Sequence, residues 1–342
     1  MIEKLNKHYV MILGILLVSL LFCIPLFINP YHINNDTLFH VSNISVIVEE
    51  IKNNFLNGIT MRIVPNIANN FGYGTRLFYP PLIHILTAYL AYGLSFFNIS
   101  VIDTMKVMHL LVLFLSGLSM YYSAYKFSNN KLLSFISSLI YISSSYHIDE
   151  IYVRDSEAEA LLFVFLPLII TSVKELLEGN KKLFYPLFII GYVGGILSHF
   201  TMMIYFTLIL GVSMLFFYKK VFKKEFLIPF IKATILVLLL TLFFFEPLFE
   251  HKLFGNYRVY QKWVMSLGVQ HTALWGFEYF WFFAKDKIYF YLSIVTITLL
   301  VAFFKYYRNS LKDEKVKLVF LFTCFSLWLS TVYFPWIIMP YT

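Results

Sequence analysis

The chain has 342 residues, of which 59% are hydrophobic and 13% charged, and its mean hydropathy is +0.73. This composition excludes a soluble globular domain, because Leu, Ile, Phe and Val form runs of roughly 20 residues, the length that crosses a bilayer. The net charge of +8 comes from Lys and Arg residues between these runs rather than on one patch, which indicates cytoplasmic anchoring and argues against a nucleic-acid partner.

The first apolar run, at about 9–28, predicts a retained span. Lys4 and Lys7 precede it, but it is too long for the core of a cleaved signal peptide, and no small-residue cleavage site follows. A single helix over 183–218 would be about 54 Å long, so the chain must turn back near 198–201. The other predicted helices lie at about 80–97, 103–126, 131–147, 157–177, 183–198, 200–218, 226–247, 288–305 and 316–333.

The distribution of basic residues decides how many of these helices cross. If 80–97 lies in the outer leaflet without crossing, 16 of the 27 Lys and Arg residues are cytoplasmic and 9 are outside; if it crosses, the numbers are 8 and 17. Cytoplasmic loops are enriched in Lys and Arg, so the first arrangement is favoured. The sequence therefore predicts an all-α polytopic membrane protein, a single transmembrane domain over 1–342, with about nine transmembrane helices and a cytoplasmic N-terminus.

Two outer loops follow from this topology. The loop over 29–102 contains an apolar pattern with spacings of three and four from Leu38 to Phe55, which predicts an amphipathic helix on the membrane surface, and then the half-buried helix 80–97. The loop over 249–287 carries five basic residues on the outer side, against the general trend, although long loops obey the rule weakly.

Asp36 and His40 are four residues apart at the start of the amphipathic helix and so share one face. A carboxylate there could take a proton from a hydroxyl or contact a metal ion. The alternative is that Asp36 only caps the helix by accepting a backbone hydrogen bond, and that His40 is a polar-face residue.

A second polar cluster precedes the apolar run that begins at Leu161. Acidic groups in the first turn of a helix favour its dipole, which is the structural explanation of Glu157 and Glu159. It does not explain why Arg154 and Asp155 stand beside them. Because guanidinium matches phosphate oxygens, the cluster suits a lipid-phosphate substrate at the membrane face.

Two further polar residues lie at the predicted outer face. His199 is in the turn between two apolar runs, where it could act in the site or be an ordinary turn histidine. Glu246 follows three phenylalanines at the end of a span and either binds a substrate group or reaches to water. All eight residues singled out would lie at one membrane face.

The layout resembles the multi-spanning glycosyltransferases of the GT-C superfamily. More narrowly, it is similar to bacterial membrane proteins of the 6-pyruvoyl-tetrahydropterin-synthase-related type and, more distantly, to YfhO-like sugar transferases. The resemblance rests on Asn35-Asp36-Thr-Leu-Phe-His40, Gly72-Tyr-Gly74, Phe78-Tyr-Pro-Pro-Leu82, Ser145-Tyr-His with Tyr152-Val-Arg154-Asp-Ser-Glu157-Ala-Glu159-Ala, Leu166-Pro167 and Leu197-Ser-His199.

The resemblance implies roles for the residues that match the family pattern. The acidic residue of the first loop, which serves the superfamily as base or metal contact, corresponds to Asp36, and the arginine near the donor phosphate to Arg154. The family usually has Arg-Gly-Ala where this chain has Arg154-Asp155-Ser156, so Glu159 matches the pattern better than Asp155. A divalent cation, if bound, would contact Asp36 and Glu157.

Members of this family continue past the point where this chain ends. The resemblance therefore implies that the C-terminal part of the family is missing, as in a truncated or split protein, and leaves room for a C-terminal partner chain. A non-catalytic GT-C-like subunit or remnant is thus one alternative function.

The main prediction is transfer of a sugar from a polyprenyl-phosphate donor to a cell-surface acceptor, at the outer face of a bacterial plasma membrane. Its partners would be the lipid-linked donor and membrane lipid. Asp36 would deprotonate the acceptor, Arg154 would hold the donor phosphate, and the remaining residues would position substrates; these are His40, Asp155, Glu157, Glu159, His199 and Glu246. A transporter or lipid flippase is the other alternative, which predicts charges near the bilayer midplane and inverted repeats that this sequence lacks.

Overall fold

The computed structural model describes residues 2–28, 36–65, 71–255, 305 and 308–329, and these are helical apart from short connections. The only β-structure among them is an isolated bridge between Val64 and Tyr73. The α-helices are α1 Ile2–Ile28, α2 Thr37–Asn53, α3 Asn57–Thr60, α4 Thr75–Phe78, α5 Leu82–Ser95, α6 Val101–Ser128, α7 Lys131–Ile142, α8 Ser145–Asp149, α9 Glu157–Leu177, α10 Lys181–Ser198, α11 Phe200–Leu215, α12 Tyr218–Val221, α13 Lys224–Phe254 and α14 Glu314–Leu329.

Four described helices are long and apolar enough to cross a membrane, which makes this a multi-pass membrane protein by length and composition. They are His8–Ile28, Val101–Ser128, Glu157–Leu177 and Lys224–His251. The shorter apolar helices are α5, α7 and α11. At 14 residues, α5 is about 21 Å long, less than the roughly 30 Å of a hydrocarbon core.

The chain divides into two compact units. The first comprises Met1–Met203 and Lys224–Leu248, and it contains every residue of the predicted site. The second comprises Ile204–Lys223 and Phe249–Thr342, where Lys220 of α12 pairs with Glu314 at the start of α14 at 2.5 Å.

In the first unit, α1 and α6 pack antiparallel. Nδ1 of His8, near the start of α1, lies 2.7 Å from the hydroxyl of Tyr121, near the end of α6. Midway along the pair the backbones come close at Gly117, where a Cβ would lie 2.6 Å from Ile15. At the other end, the Tyr152 hydroxyl donates to the carbonyl of Phe22. The end of α1 therefore lies beside the segment that leads into α9.

Helices α9 and α10 also pack antiparallel. A Cβ at Gly194 of α10 would lie 2.2 Å from the ring of Phe165 in α9, so glycine permits the close approach. The end of α10 then reaches the start of α9, since His199 contacts Glu159. The predicted turn near 198–201 is confirmed, because α10 ends at Ser198 and α11 begins at Phe200.

The amphipathic helix is confirmed as α2, but its apolar face packs on protein. Ile44, Ile47, Val48 and Ile51 form a buried cluster with Ala88 and Ala91 of α5 and with Met105 of α6. Leu38 and Phe55, which the sequence pattern assigned to the same face, are exposed. The pattern could not reveal that α5 covers this face, because the covering residues lie some 40 positions away in sequence.

The chain leaves α1 and enters α6 at the same end of the first unit. The Asp36 N–H donates to the Arg154 carbonyl at 3.1 Å, and His109, near the start of α6, contacts Asp155 at 2.8 Å. The end of α1 also lies near Tyr152. Because α1 and α6 are antiparallel, the chain between them starts and finishes at the same end of the unit, and α5 itself starts there, where His84 contacts His40.

One predicted helix is shorter in the structure than expected, and another lies almost entirely outside the described residues. The helix expected over 131–147 ends at Ile142, and a short helix and a π-helical turn follow before α9. The helix expected over 288–305 lies outside the described residues, except for Lys305.

Candidate functional site

Arg154 is the centre of a polar group that we call the arginine cluster, formed with Asp36, Glu150 and Glu159. Arg154 ends a π-helical turn, Glu150–Arg154, which follows α8 directly. Its successor, Asp155, has φ of +58°, in the left-handed region that few residues other than glycine, asparagine and aspartate adopt. This reversal begins α9 two residues later, which brings Glu159 back against the arginine.

One side of the arginine cluster is buried, and the other side is partly exposed. Arg154 Nη1 lies 2.9 Å from Oε1 of Glu150 and 3.0 Å from Oε1 of Glu159, whose side chains are 0% and 8% exposed. Arg154 Nη2 faces Asp36 Oδ2 at 3.8 Å, and these two side chains are 29% and 40% exposed. One edge of the guanidinium is therefore fixed by buried carboxylates, while the other edge is open to a ligand beside an accessible carboxylate.

Asp36 does not cap α2 through its side chain. It occupies the N-cap position but accepts no side-chain hydrogen bond from the helix. The interpretation of Asp36 as a simple cap is therefore wrong, because its carboxylate faces Arg154 instead. Partial burial raises the pKa of Asp36 above its ordinary value, and the opposing charge of Arg154 limits that rise. A raised pKa makes this carboxylate a better proton acceptor near neutral pH.

Glu159 is held by two further residues. The Tyr146 hydroxyl donates to its Oε2, and His199 Nε2 lies 3.4 Å from its Oε1. The backbone N–H of Met202 donates to His199 Nδ1, so the proton of the neutral ring is on Nε2, directed at Glu159. Burial lowers the pKa of His199, which favours this neutral form. His199 thus acts on the arginine cluster through Glu159.

A second group, the buried layer, comprises Asp155, Glu157 and His40 with their hydrogen-bond partners. Asp155 accepts from the Thr37 hydroxyl at 2.5 Å and lies 2.8 Å from His109 Nε2; its side chain is 0% exposed. Glu157 Oε2 accepts from a threonine hydroxyl at 3.4 Å, while its Oε1 has no hydrogen-bond partner among the described residues. In this conformation, neither carboxylate is accessible from the surface.

His40 is buried and faces another histidine. Its Nδ1 lies 2.8 Å from Nε2 of His84, so one ring donates and the other accepts. Burial lowers the pKa of His40 to about 4, which keeps the ring neutral near pH 7. The ring of Tyr79 stacks on His84 with 5.3 Å between centroids. His40 thus links α2 to α5 beneath the site rather than lying on the polar face of α2.

Glu246 is not brought into contact with the arginine cluster. Its side chain is exposed on α13, which continues past it to Phe254, and it forms no ion pair with a described residue. The helix expected over 226–247 is longer in the structure, since Pro247 does not interrupt it and it continues to Phe254.

Within the described ranges, no group of three or more His, Cys, Asp or Glu side chains has a geometry that could hold a metal ion. Asp36 pairs with Arg154, whereas Glu157 contacts Thr87. The two carboxylates that the resemblance suggested for a cation therefore have separate partners.

Four residues of the site were missed in the sequence, namely Glu150, Tyr146, His109 and His84. A signal existed for His109 and His84, since each is an ionisable residue inside an apolar helix, where such residues usually have a function. Glu150 precedes Arg154 by four residues, a helical pairing distance, but no periodic pattern marks the short segment that contains them. Tyr146 lies in the Ser145-Tyr-His motif, but nothing in the sequence assigned it a role.

Comparison with known proteins gives one distant relative. A protein of Lactococcus lactis subsp. cremoris (strain MG1363), itself uncharacterized, is 22% identical over 348 residues, which cover 98% of this chain and 55% of the relative. The chain thus spans about half the length of that relative. No model of a known protein family matches the sequence, and no solved structure matches it.

The charges of the arginine cluster define what it can bind. Burial raises the pKa of Glu150 to about 8, against the effect of Arg154, so Glu150 is largely protonated at neutral pH. The charges of Glu159 and Arg154 then offset each other. Asp36 remains as the accessible carboxylate. Such a site can accept a proton at Asp36 and donate hydrogen bonds from Arg154 Nη2 to an oxygen placed between them.

Proposed function

We propose that the protein is a membrane glycosyltransferase of the GT-C kind, which transfers a sugar from a polyprenyl-phosphate donor to a hydroxyl acceptor. The observation that carries this proposal is the pairing of an accessible carboxylate, Asp36, with the open edge of Arg154, at the junction of α2 and α9. Both residues match the positions that the sequence resemblance assigns to base and donor-phosphate contact.

The proposed reaction uses the two exposed groups in different ways. Asp36 takes the proton of the acceptor hydroxyl as its oxygen bonds to the anomeric carbon of the sugar. The bond from that carbon to the phosphate oxygen breaks, and Arg154 Nη2 stabilises the negative charge of the departing polyprenyl phosphate. Attack on the face opposite the leaving group inverts the configuration. Glu150, Glu159 and His199 hold the guanidinium in place.

Replacing the proposed base tests this assignment. We expect Asp36→Asn to lower sugar transfer by roughly 10²–10⁴-fold, because the amide cannot accept the proton, with an unchanged thermal transition. Transfer is measured with labelled polyprenyl-phosphate sugar in membrane vesicles. Asp103→Asn is the matched control, since Asp103 is also an exposed carboxylate paired with a cation, Lys106. Wild-type transfer by Asp36→Asn would refute the assignment of the base.

We further propose nine spans, a cytoplasmic N-terminus and an arginine cluster that faces outward in a bacterial plasma membrane. The bias of Lys and Arg supports this orientation. The length of α5 and the antiparallel packing of α1 and α6 support an α5 that does not cross, because an odd number of crossings between them would make these two helices parallel.

Cysteine labelling tests this topology in intact cells. Phe55 and Phe97, on either side of α5, are 59% and 76% exposed, and Lys182 is exposed in the first turn of α10. In a Cys324→Ser background, we expect an impermeant thiol reagent to modify Phe55→Cys and Phe97→Cys but not Lys182→Cys. Protection of only one of the first two positions would mean that α5 crosses.

The buried layer favours a second candidate, a proton-coupled carrier. His109, Asp155 and Glu157 are ionisable groups enclosed in the helix bundle, an arrangement found in proton relays. A carrier predicts substrate-driven proton uptake into vesicles that Asp155→Asn abolishes, while Asp36→Asn preserves it. The glycosyltransferase predicts no such uptake, so one assay separates the two functions.

A further inference from the structure

A basic cavity lies at the end of the first unit opposite to the arginine cluster. It is open to the surface, with a volume of about 350 Å³ and mostly exposed lining side chains, and it lies between the start of α10 and the start of α13. Because α10 ends beside Glu159, its first residues lie at the far end. The lining residues are Lys181, Tyr185, Lys224, Glu225, Ile228, Pro229 and Lys232.

Sequence spacing explains why these residues face one space. Lys224, Ile228 and Lys232 follow each other at intervals of four on α13, and Lys181 and Tyr185 do the same on α10. Residues four apart lie on one face of a helix. Two helical stripes therefore line the cavity, each with lysine and a less polar residue.

The charge of the cavity is unbalanced. Three lysines and one glutamate line it, and none of these lysines forms an ion pair with a described residue. Four other lysines in the described ranges form ion pairs with carboxylates: Lys52 with Glu49, Lys106 with Asp103, Lys174 with Glu175 and Glu178, and Lys220 with Glu314. The cavity thus has an excess of positive charge that the protein itself does not neutralise.

The position of Lys232 in the span indicates which kind of ligand the cavity binds. It lies inside the candidate span Lys224–His251, eight residues from its start and so about 12 Å along the helix. A cation at that depth is unfavourable unless it reaches an anion or water. Exposed Ile228 beside it supplies an apolar wall, so an anion bound here would lie next to hydrocarbon.

We propose that this cavity binds the phosphate headgroup of an anionic phospholipid. The ammonium groups of Lys181 and Lys224 contact the phosphate oxygens near the helix ends, Lys232 extends toward them from deeper in the span, and the Tyr185 hydroxyl donates a further hydrogen bond. The glycerol backbone lies against Ile228, and the acyl chains continue past Lys232 into the bilayer. A soluble phosphate would satisfy the lysines but would leave the apolar wall uncovered. In the orientation proposed above, the lipid belongs to the cytoplasmic leaflet, but the binding site does not depend on the catalytic activity.

The test compares two double variants that lose the same charge. Lys181→Gln with Lys232→Gln removes two lining lysines, and Lys182→Gln with Lys223→Gln removes two exposed lysines adjacent to lining residues but outside the cavity. Binding of dioctanoyl phosphatidylglycerol to the purified full chain in detergent is measured by titration calorimetry, with dioctanoyl phosphatidylcholine as the zwitterionic reference.

We expect the first pair to weaken phosphatidylglycerol binding roughly 30-fold, since each of the two basic residues near an anionic lipid contributes about one kcal/mol, and the second pair to change it less than twofold. Equal weakening by both pairs would overturn the proposal. So would inorganic phosphate that binds as tightly as the lipid, or phosphatidylcholine that does. Should the first pair prevent folding, Lys181→Gln alone, at the helix end, gives the same contrast with Lys182→Gln.

Discussion

The arginine cluster and the buried layer both take residues from the short segment 154–159, yet these residues have different environments. Arg154 and Asp36 are partly exposed and make a long contact of 3.8 Å, whereas Asp155 is fully buried between Thr37 and His109. The left-handed backbone at Asp155 separates the two, because it turns consecutive side chains to opposite sides. The difference indicates that the first group can contact a ligand and the second positions the helices around it.

The largest expected effect comes from removing the cation that the carboxylates share. Arg154→Gln leaves Glu150 and Glu159 without their charged partner, so we expect a loss of roughly 10²-fold or more in sugar transfer and of about 1–3 kcal/mol in stability. Both are measured on the purified protein, by transfer assay and by thermal unfolding. Arg154→Lys should recover most of the stability but not the transfer, because an ammonium cannot bond two carboxylates and a phosphate with fixed geometry. If Arg154→Lys transfers as fast as wild type, the donor-phosphate role is wrong.

A medium effect, on stability alone, is expected in the buried layer. Asp155→Asn keeps a residue that tolerates the left-handed backbone but weakens the bonds to Thr37 and His109, which predicts a loss of about 1–3 kcal/mol. Asp155→Ala loses those bonds and adds roughly 1–2 kcal/mol for the positive φ. Thermal unfolding of the two variants measures the difference. Equal stability of Asn and Ala would contradict a backbone role for position 155.

The last expected effect is on the pH dependence of stability and leaves sugar transfer aside. The folded-state pKa of Glu150 is raised from 4.5 to about 8 by burial, so the folded protein binds an extra proton between these values. Stability from this group is therefore present at low pH and is lost as pH rises through that window. Glu150→Gln should reduce this loss between pH 5 and 8, which unfolding midpoints at several pH values would reveal. An unchanged pH profile in Glu150→Gln would assign the dependence to another group.

Much of the helical architecture could be predicted from sequence, because long apolar runs report on helices directly. The predicted C-terminal ends of α1, α9 and α10 and the predicted turn at His199 agree with the structure. The approach of Asp36 to Arg154 was expected from topology, since the Lys and Arg distribution placed both at one face. The nine-span count, the orientation and the roles of the site residues stay predictions.

Side-chain burial could not be predicted, because it depends on contacts between distant segments. His40 looked like a surface residue four positions from Asp36, but His84, 44 residues later, encloses it. Glu246 looked like a site residue at a span end, but α13 runs on beyond it. For His40 the missing information was a distant neighbour, whereas for Glu246 it was the length of the helix beyond Pro247.

The π-helical turn before Arg154 has a consequence for insertions and deletions. A π-turn contains one residue more than an α-turn, and such turns are often found at functional sites. Removing one residue, for example Val153, would shorten this turn and change the direction in which the Arg154 side chain leaves it. The arginine would then point away from its three carboxylates although none of these had been mutated. The number of residues in this segment, as much as their identity, determines the direction of the Arg154 guanidinium.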